Sequence, residues 1–108
     1  MLNIATVQGR FTSDPIMRDQ DGTAQAIFTI ATQRKKASDG SYITDFIPCI
    51  AWGKQAEFIG RWFQQGNMAI VTGRLQSKQV AEKGTLRTYH EIYVHDINFS
   101  EPRTKGVD

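Results

Sequence analysis

Two aromatic side chains in one short stretch are the residues of this sequence best suited to non-covalent chemistry. Phe46 and Trp52 lie six residues apart, and Lys54 follows two residues later. An aromatic face stacks on flat rings, and a nearby cation attracts anions. Single-stranded nucleic acid offers these two features, exposed base faces and phosphate charge. Each stacked base contributes about 1–3 kcal/mol, so the stretch favours binding of such a strand.

Basic residues elsewhere could supply the phosphate contacts. The run Arg34–Lys36 precedes Asp39-Gly40, a turn signal that predicts an exposed hairpin tip, although such a run also suits a merely solvated loop. A net charge of +2 and a pI of about 8.9 permit a polyanionic partner without requiring one. The residues that we predict to contact DNA are Phe46, Trp52, Lys54, Arg10, Arg34, Lys35, Lys36, Arg74 and Lys78.

The sequence gives little support to catalysis. Cys49, the single cysteine, can form neither an internal disulfide nor a zinc pattern, and we expect it to be buried in a strand. As a catalytic thiol it would need a nearby histidine base, but His90 and His95 show no partner pattern in the sequence. No carboxylate cluster or phosphate-binding glycine loop is visible. We therefore expect no metal, no cofactor and no enzymatic activity, and a small hydrolase or nuclease is the least favoured hypothesis.

Alternating apolar residues predict the strands that must position these side chains. The stretch 44–52 places Phe46 and Trp52 on one face and Cys49 and Ala51 on the other, but alternation alone does not say which face is buried. Pro48 within it favours an edge position or a bulge. The five predicted strands cover residues 2–11, 24–33, 44–52, 68–79 and 86–99.

One segment has a helical period instead. Ala56, Ile59 and Phe63 form an apolar stripe within residues 54–65, and Gly66 is positioned to end the helix. Three strands, a helix and two strands is the order of an OB-fold, a five-stranded Greek-key barrel with a helix between strands 3 and 4. We assign residues 1–100 to this all-β domain with one helix and residues 101–108 to a short polar tail.

The motifs and their spacing resemble the bacterial and phage single-stranded DNA-binding proteins. The similarity is strongest over Thr44-Asp45-Phe46 and Ala51–Glu57, and it includes Gly9-Arg10, Gly73-Arg74-Leu75 and Tyr89–Val94. The resemblance implies a homotetramer, or alternatively a dimer, with DNA wrapped around it. It also implies that Phe46 and Trp52 stack on bases and that cations near Lys54 and Lys78 contact phosphate.

The chain departs from that family pattern in two ways. Lys36 and Val80 stand where some members carry stacking tryptophans, so the resemblance implies weaker and more salt-dependent binding. Typical members also end in an acidic tip that recruits other proteins, whereas residues 102–108 show no such tip.

A second hypothesis is therefore a protein-interaction module of the same fold, such as a dimeric primosome component used in replication restart. The N-terminus, Met1–Ala5, lacks the features of a signal peptide, and no apolar stretch is long enough to span a membrane. We expect a cytoplasmic, nucleoid-associated protein whose partner is single-stranded DNA.

Overall fold

The computed structural model describes residues 1–101, which form one closed sheet and one helix. The elements are β1 (Ala5–Phe11), β2 (Ile16–Gln20), β3 (Thr23–Lys36), β4 (Tyr42–Trp52), α1 (Gly53–Trp62), β5 (Met68–Glu82) and β6 (Thr85–Phe99). The strand order is β1-β5-β6-β4-β3-β2, and an additional β1–β3 pairing closes the ring. The predicted fold class, an OB-type barrel with one helix, is confirmed. If β1 and β2 are counted as one barrel strand, the helix lies between strands 3 and 4 as predicted. Apart from Glu101, the predicted tail lies outside the described residues.

The first barrel strand is divided into two segments, which is why six strands occur where five were predicted. Phe11 of β1 pairs with Ile30 of β3, and Ile16 of β2 pairs with Ile27 of the same strand. Residues 12–15 therefore interrupt one continuous antiparallel edge. The carboxylate of Asp14 accepts a 2.8 Å hydrogen bond from the Gln65 amide, which fixes this interruption to the turn after α1.

The core is a stack of phenylalanine rings beneath the helix. Phe11 stacks on Phe28 with a 4.6 Å centroid distance, and Phe63 stacks on Phe99 at 4.0 Å. The predicted helical stripe is confirmed, because Ala56, Ile59 and Phe63 are fully buried. The helix ends at Trp62, however, and Gly66 belongs to the turn before β5 instead of the helix end.

A short parallel contact between β4 and β6 completes the barrel. Only two residue pairs form it, Cys49 with Ile92 and Ile50 with Tyr93. We call these four residues the seam. Cys49 is buried as predicted, and burial, with a smaller effect of the Glu91 charge, raises the pKa of its thiol to about 12. Within residues 1–101, the structure contains no helix with the length and apolarity needed to cross a bilayer.

Candidate nucleic-acid interface

The outer face of β3 and β4 carries both predicted stacking residues. Phe28 and Cys49 pair across the two strands and are buried, so the alternate positions point away from the core. Phe46 is 64% exposed, and Trp52, which pairs with Gln25, is half-buried. The predicted shared face of Phe46 and Trp52 is confirmed, and the structure identifies it as the outer one.

Trp52 also connects the sheet directly to the helix. It is the last residue of β4 and the N-cap of α1, so no loop separates the two elements. Gly53 turns the chain there with a φ of +64°, a conformation that L-residues with a side chain adopt at a cost. Lys54 follows in the first helical turn and is exposed, which brings a cation close to Trp52 along the chain.

A cleft of about 790 Å³ opens beside Phe46, where β1 diverges from β3. Its walls are rich in uncharged polar side chains. At its base Gly9 lies so close to β3 that a Cβ atom would collide with the Ala31 carbonyl oxygen. The cleft is an open groove along the part of β1 that does not pair with β3. Its polar lining residues include Thr6, Gln8, Gln33 and Thr44.

Three of the predicted phosphate contacts already hold carboxylates. These ion pairs are exposed or partly exposed, and such pairs add little net stability, so a phosphate could replace the carboxylate. The hydrogen bond from Arg10 is the main reason that the pKa of Glu101 lies below its ordinary value. The pairs are Arg10–Glu101 at 2.7 Å, Arg34–Asp45 at 2.9 Å and Lys78–Glu91 at 3.6 Å.

Two other predicted cations lie against tyrosine rings. Lys36 Nζ is 5.7 Å from the centroid of the Tyr42 ring, and Arg74 Cζ is 4.7 Å from that of Tyr93. Lys35 and Lys54 are exposed, and within residues 1–101 no ion pair holds either of them. The predicted cations therefore differ in availability, from exposed lysines to arginines with bound partners.

The residues considered for catalysis show no arrangement that would activate them. Cys49 is buried and its pKa is raised, whereas a nucleophilic thiol needs the opposite shift. His90 and His95 are both exposed. In the described part of the chain, no group of three or more histidine, cysteine, aspartate or glutamate residues could hold a metal ion.

The whole described chain has recognisable relatives. Residues 2–100 match the model of the single-strand binding protein family. The chain belongs to this family. A single-stranded DNA-binding protein of Fusobacterium nucleatum is 37% identical over 97% of this chain and 71% of its own length. One of Bacillus cereus is 38% identical over 98% of this chain and 64% of its own length. Single-stranded DNA-binding protein A of Bacillus subtilis is 35% identical over 98% of this chain and 63% of its own length.

This member of the single-strand binding protein family has further candidate DNA-contacting residues that the sequence alone does not reveal. Arg18 of β2 pairs with Gln25, which pairs in turn with Trp52, so all three lie in one row on the outer face. Arg18 was missed because β2 has no apolar alternation. Tyr93 was placed on a strand, but the sequence could not show that Arg74 would lie over its ring.

Proposed function

We propose that this chain binds single-stranded DNA without reading its sequence, along the outer face of β3 and β4. The observation that carries the proposal is Phe46, which is 64% exposed while three other phenylalanines, Phe11, Phe28 and Phe63, are buried. An exposed ring on the same face as Trp52 suits base stacking, which tolerates any sequence because every base has a flat face. Membership of the single-strand binding protein family supports the proposal and does not favour the protein-interaction alternative.

Phosphate contacts would come from cations around this face. The exposed Lys35 and Lys54 can bind phosphate directly, whereas Arg34 and Lys78 must first release Asp45 and Glu91. Each phosphate that is neutralised releases counterions, so the affinity should fall steeply as salt rises. Such binding would protect strands exposed in replication, recombination or repair, in the cytoplasm at the nucleoid, and it requires no catalysis.

Titration with oligo-dT tests the proposal directly. In a Trp62→Phe background the tryptophan fluorescence comes from Trp52, and a stacked base should quench it. Phe46→Ala should weaken binding by about 1–3 kcal/mol, because one stacking platform is lost. The melting temperature should change little, since the Phe46 side chain contributes mainly exposed surface.

Phe58→Ala is the matched control, because Phe58 is also exposed, at 40%, but lies on α1. It should leave the affinity for oligo-dT unchanged. If oligo-dT neither quenches the fluorescence nor binds at low salt, the proposed DNA binding is disproved. Equal losses in both variants would show that Phe46 is not a stacking residue.

We further propose that the chain assembles as a homo-oligomer, a tetramer or alternatively a dimer, through the open edge of β1. Within residues 1–101, β1 pairs with β3 only at Arg10 and Phe11, so residues 5–9 leave one edge unpaired. Leu2 and Ile4, just before this edge, are 86% and 68% exposed. An unpaired edge next to exposed apolar side chains is well suited to adding a strand from a second copy.

A further inference from the structure

The two proposed stacking residues are far apart on β4. Phe46 and Trp52 are separated by six residues of extended strand, which corresponds to about 20 Å. OB-folds that bind single strands cover about 4–16 nucleotides each, so DNA spanning both residues must cross the surface between them. Ile50 lies on the same face between the two, but at 9% exposure it offers almost no surface for stacking.

The neighbouring strands place other side chains beside this gap. Ile50 pairs with Tyr93 of β6, and Tyr93 pairs with Arg74 of β5. Residues directly opposite in a sheet point to the same side, so the three form a row on the outer face. The row runs sideways from β4 at Ile50, which lies four residues after Phe46 and two before Trp52.

Arg74 lies over the ring of Tyr93. Its Cζ atom is 4.7 Å from the ring centroid, which is cation–π geometry. Arg74 is exposed while Tyr93 is half-buried, so the guanidinium covers the ring and presents its own surface to solvent. Guanidinium planes, like aromatic rings, stack on unpaired bases.

The backbone next to Arg74 allows β5 and β6 to approach each other closely. The β5–β6 register shifts between Thr72 and Gly73, which leaves His95 as an extra residue on β6. A Cβ atom at Gly73 would collide with the carbonyl oxygen of Tyr93. Glycine therefore permits the close strand contact immediately before Arg74. By contrast, Lys78 on the same strand lies 3.6 Å from the Glu91 carboxylate.

We propose that Arg74 and Tyr93 form a composite stacking platform for a nucleobase, located on β5 and β6 beside the part of β4 that separates Phe46 from Trp52. The base stacks on the guanidinium of Arg74, which is sandwiched between the base and the Tyr93 ring. This proposal rests on the proposed binding of single-stranded DNA and adds a third stacking position to it. It would compensate for Lys36 and Val80, where aromatic platforms are absent.

Variants that separate shape from charge test the platform. Arg74→Lys keeps the charge but loses the plane, and Tyr93→Leu loses the ring that supports it. Each should weaken oligo-dT binding at least about fivefold, the lower end of what a stacked base contributes. The dependence of affinity on salt should stay unchanged, because no charge is lost. Tyr93→Phe keeps the ring and should bind like the unmodified chain.

Two further variants complete the design. The double variant Arg74→Lys, Tyr93→Leu should lose no more than about the larger single loss, because both residues serve one platform. Arg87→Lys is the matched control, since Arg87 is an exposed arginine of β6 that pairs with Glu82 instead of lying on a ring. It should leave the affinity unchanged.

The outcomes distinguish this platform from the wider proposal. If Arg74→Lys binds normally while Arg74→Gln only reduces the salt dependence, Arg74 is a phosphate contact and the platform is wrong. If Tyr93→Leu fails to fold, Arg74→Lys decides alone, because it changes only an exposed side chain. Absence of all oligo-dT binding by the unmodified chain would overturn the proposed function itself.

Discussion

At the scale of single residues, the ion pair between Arg10 and Glu101 decides how available one proposed phosphate contact is. Arg10 also donates a 2.8 Å hydrogen bond to the Gly66 carbonyl, so its guanidinium is doubly held. The carboxylate occupies the position that a phosphate oxygen would take. Glu101 should therefore compete with DNA for Arg10.

Glu101→Gln should bind oligo-dT more tightly than the unmodified chain, with the log–log salt slope steeper by about one phosphate contact. Salt-dependent titration measures both quantities. Glu57→Gln is the control, because it removes the same charge from an exposed position on α1. An equal gain in both variants would show a net-charge effect and no competition at Arg10.

The pH dependence of this pair has a defined sign. Because Arg10 lowers the pKa of Glu101, the pair is fully formed above the ordinary glutamate pKa of 4.5 and is lost as pH falls through the lowered value. Carboxyl NMR of Glu101 should thus show titration below 4.5 in the unmodified chain and a return toward that value in Arg10→Gln. An unshifted Glu101 would contradict the pair.

Residue-scale prediction from sequence succeeded where the pattern was local. Alternation along one strand placed Phe46 and Trp52 together, but only the burial of Cys49 shows which face is inside. The contact between Arg10 and Glu101 joins residues 91 apart, and it depends on where the end of β6 meets the start of the barrel. No spacing rule in the sequence encodes that meeting.

At the scale of elements, Gly53 joins β4, a strand of the proposed binding face, to α1 without a loop. Its φ of +64° means that Gly53→Ala should destabilise the fold by about 1–2 kcal/mol, the cost of a side chain in the left-handed region. Urea unfolding measures the change. Gly53→Asn should cost less, because asparagine tolerates this conformation. Equal stability of Gly53→Ala and the unmodified chain would contradict the left-handed conformation at residue 53.

The elements also show why β2 could not be predicted. All five of its residues are exposed, so it shows no buried side to mark it as a strand. The chain only bulges at residues 12–15 just before it and then resumes pairing with β3. The helix was predicted because Ala56, Ile59 and Phe63 repeat on one face, a signal that needs no distant partner.

At the scale of the whole molecule, the proposed assembly through β1 makes a sharp comparison possible. Ile4 and Leu86 are both 68% exposed, but Ile4 adjoins the open edge while Leu86 lies near the hairpin between β5 and β6. Ile4→Asp should convert the oligomer to monomers, because a charge cannot be buried at the added strand without a partner. Leu86→Asp should leave the native mass unchanged.

Native mass spectrometry or light scattering at several concentrations measures the assembly. A monomeric unmodified chain would overturn the proposal, and a monomeric Leu86→Asp with oligomeric Ile4→Asp would move the interface to the hairpin. The sequence could not decide between these surfaces. The open edge of β1 exists because β1 pairs with β3 only at Arg10 and Phe11, and that pairing is a feature of the folded chain.

The seam between β4 and β6 makes the one cysteine a reporter of transient opening. Only two residue pairs form its parallel backbone pairing, and Cys49 belongs to one of them. A buried thiol with a pKa of about 12 reacts only when the junction separates and exposes it, so the labelling rate counts opening events. Labelling of Cys49 by a disulfide reagent should be far slower in the folded chain than in the urea-unfolded chain. Bound oligo-dT should slow it further by bridging β4 and β6. Fast labelling of the folded chain would mean that the junction is open much of the time. If oligo-dT then slows the labelling, bound DNA keeps the barrel closed.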